Sequence, residues 1–138
     1  MFERLLLPVD LTRKNDAALD AVCHLLHEDG TVTLLHVIET IADAPFEDME
    51  DFYKRLEERA RSGMSEMAAG LSEKGLQVEQ HVVYGRRAAE IVAFAASWEA
   101  DLILLSSAPL DPENPSAAWA SISHQVAILA RSPVLLLK

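Results

Sequence analysis

The stretch from Leu5 to Asp10, LLLPVD, decides how the rest of the chain is read. Leu5 to Val9 is a short unbroken apolar run, too brief for a helix and too uniform for a strand with one wet face. A strand buried on both faces reads this way, and such strands belong to parallel sheets whose crossover helices cover both sides. The next residues agree. LTRKND offers Asn15 or Asp16 as a helix cap, and Ala18, Val22, Leu25 and Leu26 then recur at helical spacing.

The same alternation continues outward. Glu28, Asp29 and Gly30 are expected to end that helix, and Thr31 to Ile38, TVTLLHVI, is rich in β-branched and apolar residues, as a second doubly covered strand should be. Residues 39 to 51 carry Glu39, Asp43, Glu47, Asp48, Glu50 and Asp51 without one Lys or Arg, around Pro45, and read as an acidic connector. From Tyr53, the residues Leu56, Ala60, Met64, Met67 and Leu71 mark one face of a long amphipathic helix that stops at Gly75; its methionines read as core packing. Val78 to Tyr84 is a third strand, ended by Gly85, and Ala89, Ile91, Val92, Ala95 and Trp98 mark a third helix. Asp101 to Leu105 is a fourth strand. Ser121 to Ala130 is a short helix with Ile122, Val126 and Leu129 on one face, and Pro133 to Leu137 is the last strand. Strands alternating with helices predict an α/β fold in one domain over residues 1–138: a doubly wound, five-stranded parallel sheet with helices on both faces. Ligands of such sheets bind at the carboxyl ends of the strands, where strand order reverses.

Composition narrows the partners. The 138 residues suit one domain, and 50% hydrophobic content is enough for a sizeable core. A formal charge of −10 argues against nucleic acid, which needs clustered Lys and Arg to displace its counterions. Cys23 is the single cysteine, so no intrachain disulfide forms and a cytoplasmic location is expected. The first apolar run is too short for a signal peptide, and no segment approaches the length of a membrane span.

LLLPVD at the start, LLHVIE at 34–39, VVYG-x5-I at 82–91, EADLILL at 99–105 and SPVLLLK at 132–138 follow one another in an order and spacing that resemble the universal stress protein family across essentially the whole chain. The resemblance implies strand order 3-2-1-4-5 in an adenine nucleotide alpha hydrolase-like fold, a homodimer, and a cytoplasmic role in stress response. Many members of that family bind ATP through glycines in the pattern G-x2-G-x9-G-[ST] after the fourth strand. Setting DLILL on that strand puts Ser106 at the first glycine, Pro109 at the second and Ala120 at the third, one residue late; Ser121 alone matches. Pro109 has no amide hydrogen and a fixed φ, so it does not replace a glycine there. Residues 106 to 121 also hold Asp111 and Glu113 but no Lys or Arg, so a triphosphate is expected to meet negative charge.

The expectation is therefore a regulatory or protective homodimer that acts through protein partners, without catalysis and without tight ATP binding. The alternative is a weak sensor of ATP or AMP with Mg. The resemblance places Asp10 against a nucleoside and gives Val37 a backbone contact to adenine. With Ser106, Ser107, Ser121 and the start of the last helix these would form a residual pocket for a small anion or nucleoside. The plainer account of Asp10 is a carboxylate that caps the next turn.

Other constellations read as structural. His24 and His27, three apart near a helix end, could share a face and hold a metal, but a helix C-terminus attracts histidine on its own account. His36 reads as a satisfied core histidine and His81 as an exposed strand position. Ser121 and His124 lack the elbow and orienting carboxylate of a catalytic triad, so Ser121 is expected to cap a helix. Cys23 has no basic neighbour and reads as packed rather than reactive. Arg86 and Arg87 oppose the dipole of the helix they begin, which suggests either solvation or a charge latch to the acidic connector. The last strand, Val134 to Leu137, lies at an edge in the family order, and pairing with a second copy would cover it.

Overall fold

The computed structural model describes residues 1–12, 15–41, 45–106, 113 and 121–138. The elements are β1 (Phe2–Pro8), α1 (Asp16–Leu25), β2 (Leu26–Ile38), a 3-10 turn (Phe46–Met49), α2 (Glu50–Glu73), β3 (Gln77–Tyr84), α3 (Arg87–Trp98), β4 (Leu102–Ser106), α4 (Ile122–Leu129) and β5 (Val134–Leu137). All four strand pairings are parallel, in the order β3-β2-β1-β4-β5. The doubly wound sheet in order 3-2-1-4-5 is thus present.

The central strand behaves as its sequence demands. Leu5, Leu6 and Leu7 are all fully buried, because successive side chains point to opposite faces and both faces are covered. Leu5 and Leu7 join Ala18 and Val22 of α1 and Met64, Ala68 and Leu71 of α2 on one side. Leu6 joins Ala88, Ile91 and Ala95 of α3 and Val126 of α4 on the other. Each fully buried leucine contributes about 1.5–3 kcal/mol of apolar transfer, so β1 is the mechanical centre of the fold. At its amino end the Asp101 carboxylate accepts the amides of Glu3 at 2.8 Å and Arg4 at 2.9 Å, tying the start of β4 to β1. The site end of the sheet is the opposite one.

Several boundaries differ from the sequence expectations. Glu28, Asp29 and Gly30 do not end α1; they lie inside β2, which begins at Leu26 and pairs that residue with Phe2 across a register shift. Gly30 serves close packing rather than a helix stop, since a Cβ there would sit 2.8 Å from the Leu26 side chain and 3.0 Å from the Glu3 carbonyl. The consequence for His24 and His27 is direct: one is on α1 and the other on β2, so they share no helix face. The His27 ring instead accepts the Asp29 amide at 3.1 Å. Asp43 of the acidic connector lies outside the described residues. Glu47 and Asp48 occupy the 3-10 turn, and Glu50 and Asp51 open α2, where carboxylates complement the positive end of the helix dipole. On α3 the buried face runs through Ala88 rather than Ala89. On α4, Val126 is buried but Leu129 is 59% exposed.

Candidate functional site

The cleft forms where the sheet changes direction. β1 leads into α1 on one face, whereas α3 and α4 lie on the other, so the carboxyl ends of β1 and β4 diverge as the topological rule requires. The resulting cleft, about 240 Å³, is lined by Val9 and Asp10 after β1, His36 and Val37 of β2, Leu105 and Ser106 of β4, Arg87 and Ile91 of α3, Ser121 to Ser123 at the start of α4, and Asn15 before α1. Small-molecule sites span about 300–1,000 Å³, and this cleft lies just below that range.

Asp10 is held rather than loose. Its Oδ1 accepts the Thr12 amide at 2.8 Å and the Thr12 hydroxyl at 2.6 Å, which is the turn-capping role a strand-end aspartate favours. Asn15, one of the two expected caps of α1, stands at the N-cap position, yet its side chain makes no capping bond. Its buried amide turns back, donating to the Asp10 carbonyl at 2.7 Å, to Asp10 Oδ1 at 3.1 Å and to the Thr12 carbonyl at 3.0 Å. This network satisfies a side chain only 3% exposed and fixes the carboxylate at the cleft wall. His36 is tied by a 2.9 Å bond between Nδ1 and the Val9 carbonyl, in keeping with a satisfied histidine, but it also lines the cleft.

The opposite wall is built by helix starts. Ser121 caps α4, its Oγ accepting the His124 amide at 3.2 Å and lying 3.3 Å from Ser123 Oγ. The cap leaves α4 directed at the cleft with its positive end. At the start of α3, Glu39 accepts the Arg87 backbone amide at 3.3 Å. Of the two readings of Arg86 and Arg87, solvation or a charge latch, the latch is not formed: the acidic connector does reach α3, but through the amide, and among the described residues neither Arg86 nor Arg87 forms an ion pair. Arg87 lines the cleft, so the site is not purely anionic, as residues 106 to 121 alone suggested.

Of the sequence-derived site residues, Asp10, Val37, Ser106 and Ser121 come together around one cleft. Ser107, Pro109, Asp111 and Ala120 lie outside the described residues. Asn15, His36, Arg87 and Ser123 join the lining without having been singled out for it. Arg87 had a usable signal in its cation at a helix start after a glycine, whereas Asn15 looked like an ordinary cap. Among the described residues no group of three or more His, Cys, Asp or Glu is placed to hold a metal.

A sequence model described as the universal stress protein family matches residues 1–138. The chain belongs to the universal stress protein family. It is 24% identical over 147 aligned positions to universal stress protein G of Shigella flexneri, covering 100% of both chains. A solved structure of a hypothetical protein, determined to assign its biochemical function, superposes with a TM-score of 0.84 at 26% identity, over 100% of this chain and 96% of that one. A universal stress protein family protein from Arabidopsis thaliana with AMP bound has a TM-score of 0.72 at 17% identity, over 99% of this chain and 91% of that one. Among the described residues no helix is long and apolar enough to cross a membrane.

Proposed function

We propose that this universal stress protein is a cytoplasmic regulatory homodimer that acts through protein partners, and that its cleft takes a small adenine nucleotide such as AMP weakly while not holding ATP tightly. The observation that carries the nucleotide part is the cleft itself: a carboxylate on Asp10, a guanidinium on Arg87, the hydroxyls of Ser106 and Ser121, and the strand segment at Val37 converge at the switch point. The AMP carried by the Arabidopsis relative supports the ligand class. Ser107 completes the proposed pocket from the sequence alone, and Mg would serve a phosphate where side-chain cations are few. Limited volume and the absent glycines at positions 106, 109 and 120 support weak binding. No side chain is assigned a catalytic role.

Glu39 adds a reason for weakness. Its carboxylate is seated on the Arg87 amide, so it offsets the positive end of α3 before any phosphate arrives. Calorimetry with AMP, ATP and adenosine, with and without Mg, tests the reading. AMP should bind with a dissociation constant on the order of 0.1–1 mM. Glu39→Gln should tighten AMP by about threefold to tenfold and leave adenosine unchanged. Low-micromolar ATP binding would overturn the weak-binding reading, and no detectable AMP or adenosine binding would leave a module that works through proteins alone.

The homodimer is supported at β5. Among the described residues that strand pairs only with β4, and Leu135, Ile128 and Leu129 are 39%, 64% and 59% exposed on it and on the α4 helix that packs beside it. Open hydrogen-bonding groups next to exposed apolar side chains favour a symmetric partner strand.

A further inference from the structure

At the β3 edge of the sheet, where β3 finishes and α2 begins, Ile41, Phe46 and Phe52 are 48%, 52% and 39% exposed. Scattered exposed hydrophobics are ordinary, but these are fixed in one platform. The Phe46 ring stacks on Tyr53 at 5.2 Å and 5° and meets Tyr84 edge-on at 6.0 Å. Phe52 meets Tyr53 at 5.5 Å, and Tyr53 meets Tyr84 at 5.9 Å. Tyr53 itself is 1% exposed, and its hydroxyl accepts the Ile41 amide at 2.7 Å. The base of the platform is therefore core, while its two phenylalanines face outward. Aromatic rings held in place lose little freedom when a partner covers them, which is the property of an interaction anchor.

The rim is predominantly acidic. Glu47, Asp48, Glu50 and Asp51 are all exposed around the two phenylalanines, against the exposed cations Lys54 and Arg55 in the next turn of α2. A second copy docking here would bring the same carboxylates against these, on a chain already at −10, and like charges at close range repel. A basic partner meets the opposite situation, since its cations pair with the rim while an apolar side chain covers the rings.

We propose that this aromatic and acidic corner is a docking surface for a basic segment of another protein, one that sets an aromatic or large aliphatic side chain on Phe46 and Phe52. The corner belongs to β3, the edge opposite β5. A dimer built through β5 leaves it open, so the assembly displays it twice and gains avidity toward a partner with two such segments. The proposal is independent of the cleft and stands whether or not AMP binds.

The test uses the full chain, isotope-labelled for NMR, and two synthetic peptides of equal positive charge. One is arginine-rich and carries a phenylalanine and a leucine; the other has glycine at both places. The anchored peptide should bind about tenfold or more tightly than its counterpart, weaken as salt rises, and shift the signals of Ile41, Phe46, Phe52 and Tyr84. Phe46→Ala should bring the two peptides to within about twofold of each other. Asp48→Asn combined with Asp51→Asn, which removes charge without touching the rings, should weaken both peptides by about threefold to tenfold. Equal binding of the two peptides by the natural chain, no binding, shifts confined to another surface, or loss of the same signals by self-association without peptide would each overturn it.

Discussion

The two edges of this sheet face the same physical problem and meet it differently. β5 is four residues long, VLLL, and exposes Leu135 beside the bare Ile128 and Leu129 of α4. β3 is eight residues long and places Gln77, Glu79, Gln80 and His81 at exposed positions along its length. Charged and polar side chains discourage another strand from adding to an edge, so β3 is guarded along its run and offers apolar surface only at its aromatic corner. β5 has no such guard. An edge without charges is suited to a second copy of itself, and an edge with charges keeps its strand closed while its corner remains available to a different partner.

The largest effect expected from this contrast is at β5. Leu135→Arg should weaken self-association by about hundredfold, about 2.8 kcal/mol, and give the monomer mass by light scattering at micromolar protein. Gln80→Arg on β3 should leave the mass unchanged; equal dissociation by both variants would erase the distinction between the edges. A smaller effect is expected inside the β3 corner. Tyr53→Phe removes the acceptor of the Ile41 amide and should lower stability by about 1 kcal/mol, read as a shift in urea midpoint without a change of slope. The smallest effect is a pH dependence. Burial foremost, with Glu57 nearby, raises the Tyr84 pKa above its ordinary 10.0, against a lowering by Arg61. The unfolded chain therefore ionises this tyrosine first and binds fewer protons in that window, so its contribution is complete below pH 10 and declines as pH climbs toward the folded pKa. Tyr84→Phe should flatten this part of the stability profile, and an unchanged alkaline slope would count against a desolvated corner.

Much of the architecture was legible from local pattern. Leu5 to Leu7, Leu102 to Leu105 and the apolar spacing of α2 each carry their burial in their own periodicity, because a doubly covered strand and an amphipathic helix are defined by the residues along them. Boundaries were less legible where a distant backbone intervened. Residues 26 to 30 look like a helix end followed by a turn, yet they lie inside β2, where Leu26 pairs with Phe2 ahead of a register shift, and Gly30 is read correctly only once the Glu3 carbonyl is seen beside it.

The candidate site divides along the same line. Asp10, Val37, Ser106 and Ser121 sit at strand ends and a helix start, positions that the α/β order marks in advance. Arg87, Asn15 and the Glu39 cap on α3 depend on which elements become neighbours, and no spacing along the chain expresses that.

By itself, then, the sequence determined the sheet, its strand order through a family resemblance, and the end of the sheet that holds the cleft, because these follow from short-range periodicity and chain order. Only the tertiary structure decided that Asn15 serves Asp10 instead of α1, that Glu39 meets an amide instead of a guanidinium, and that Phe46 and Phe52 rest on a buried Tyr53. Each of those outcomes turns on hydrogen-bond and ring geometry between segments far apart in the chain. Such contacts form only after the elements have packed.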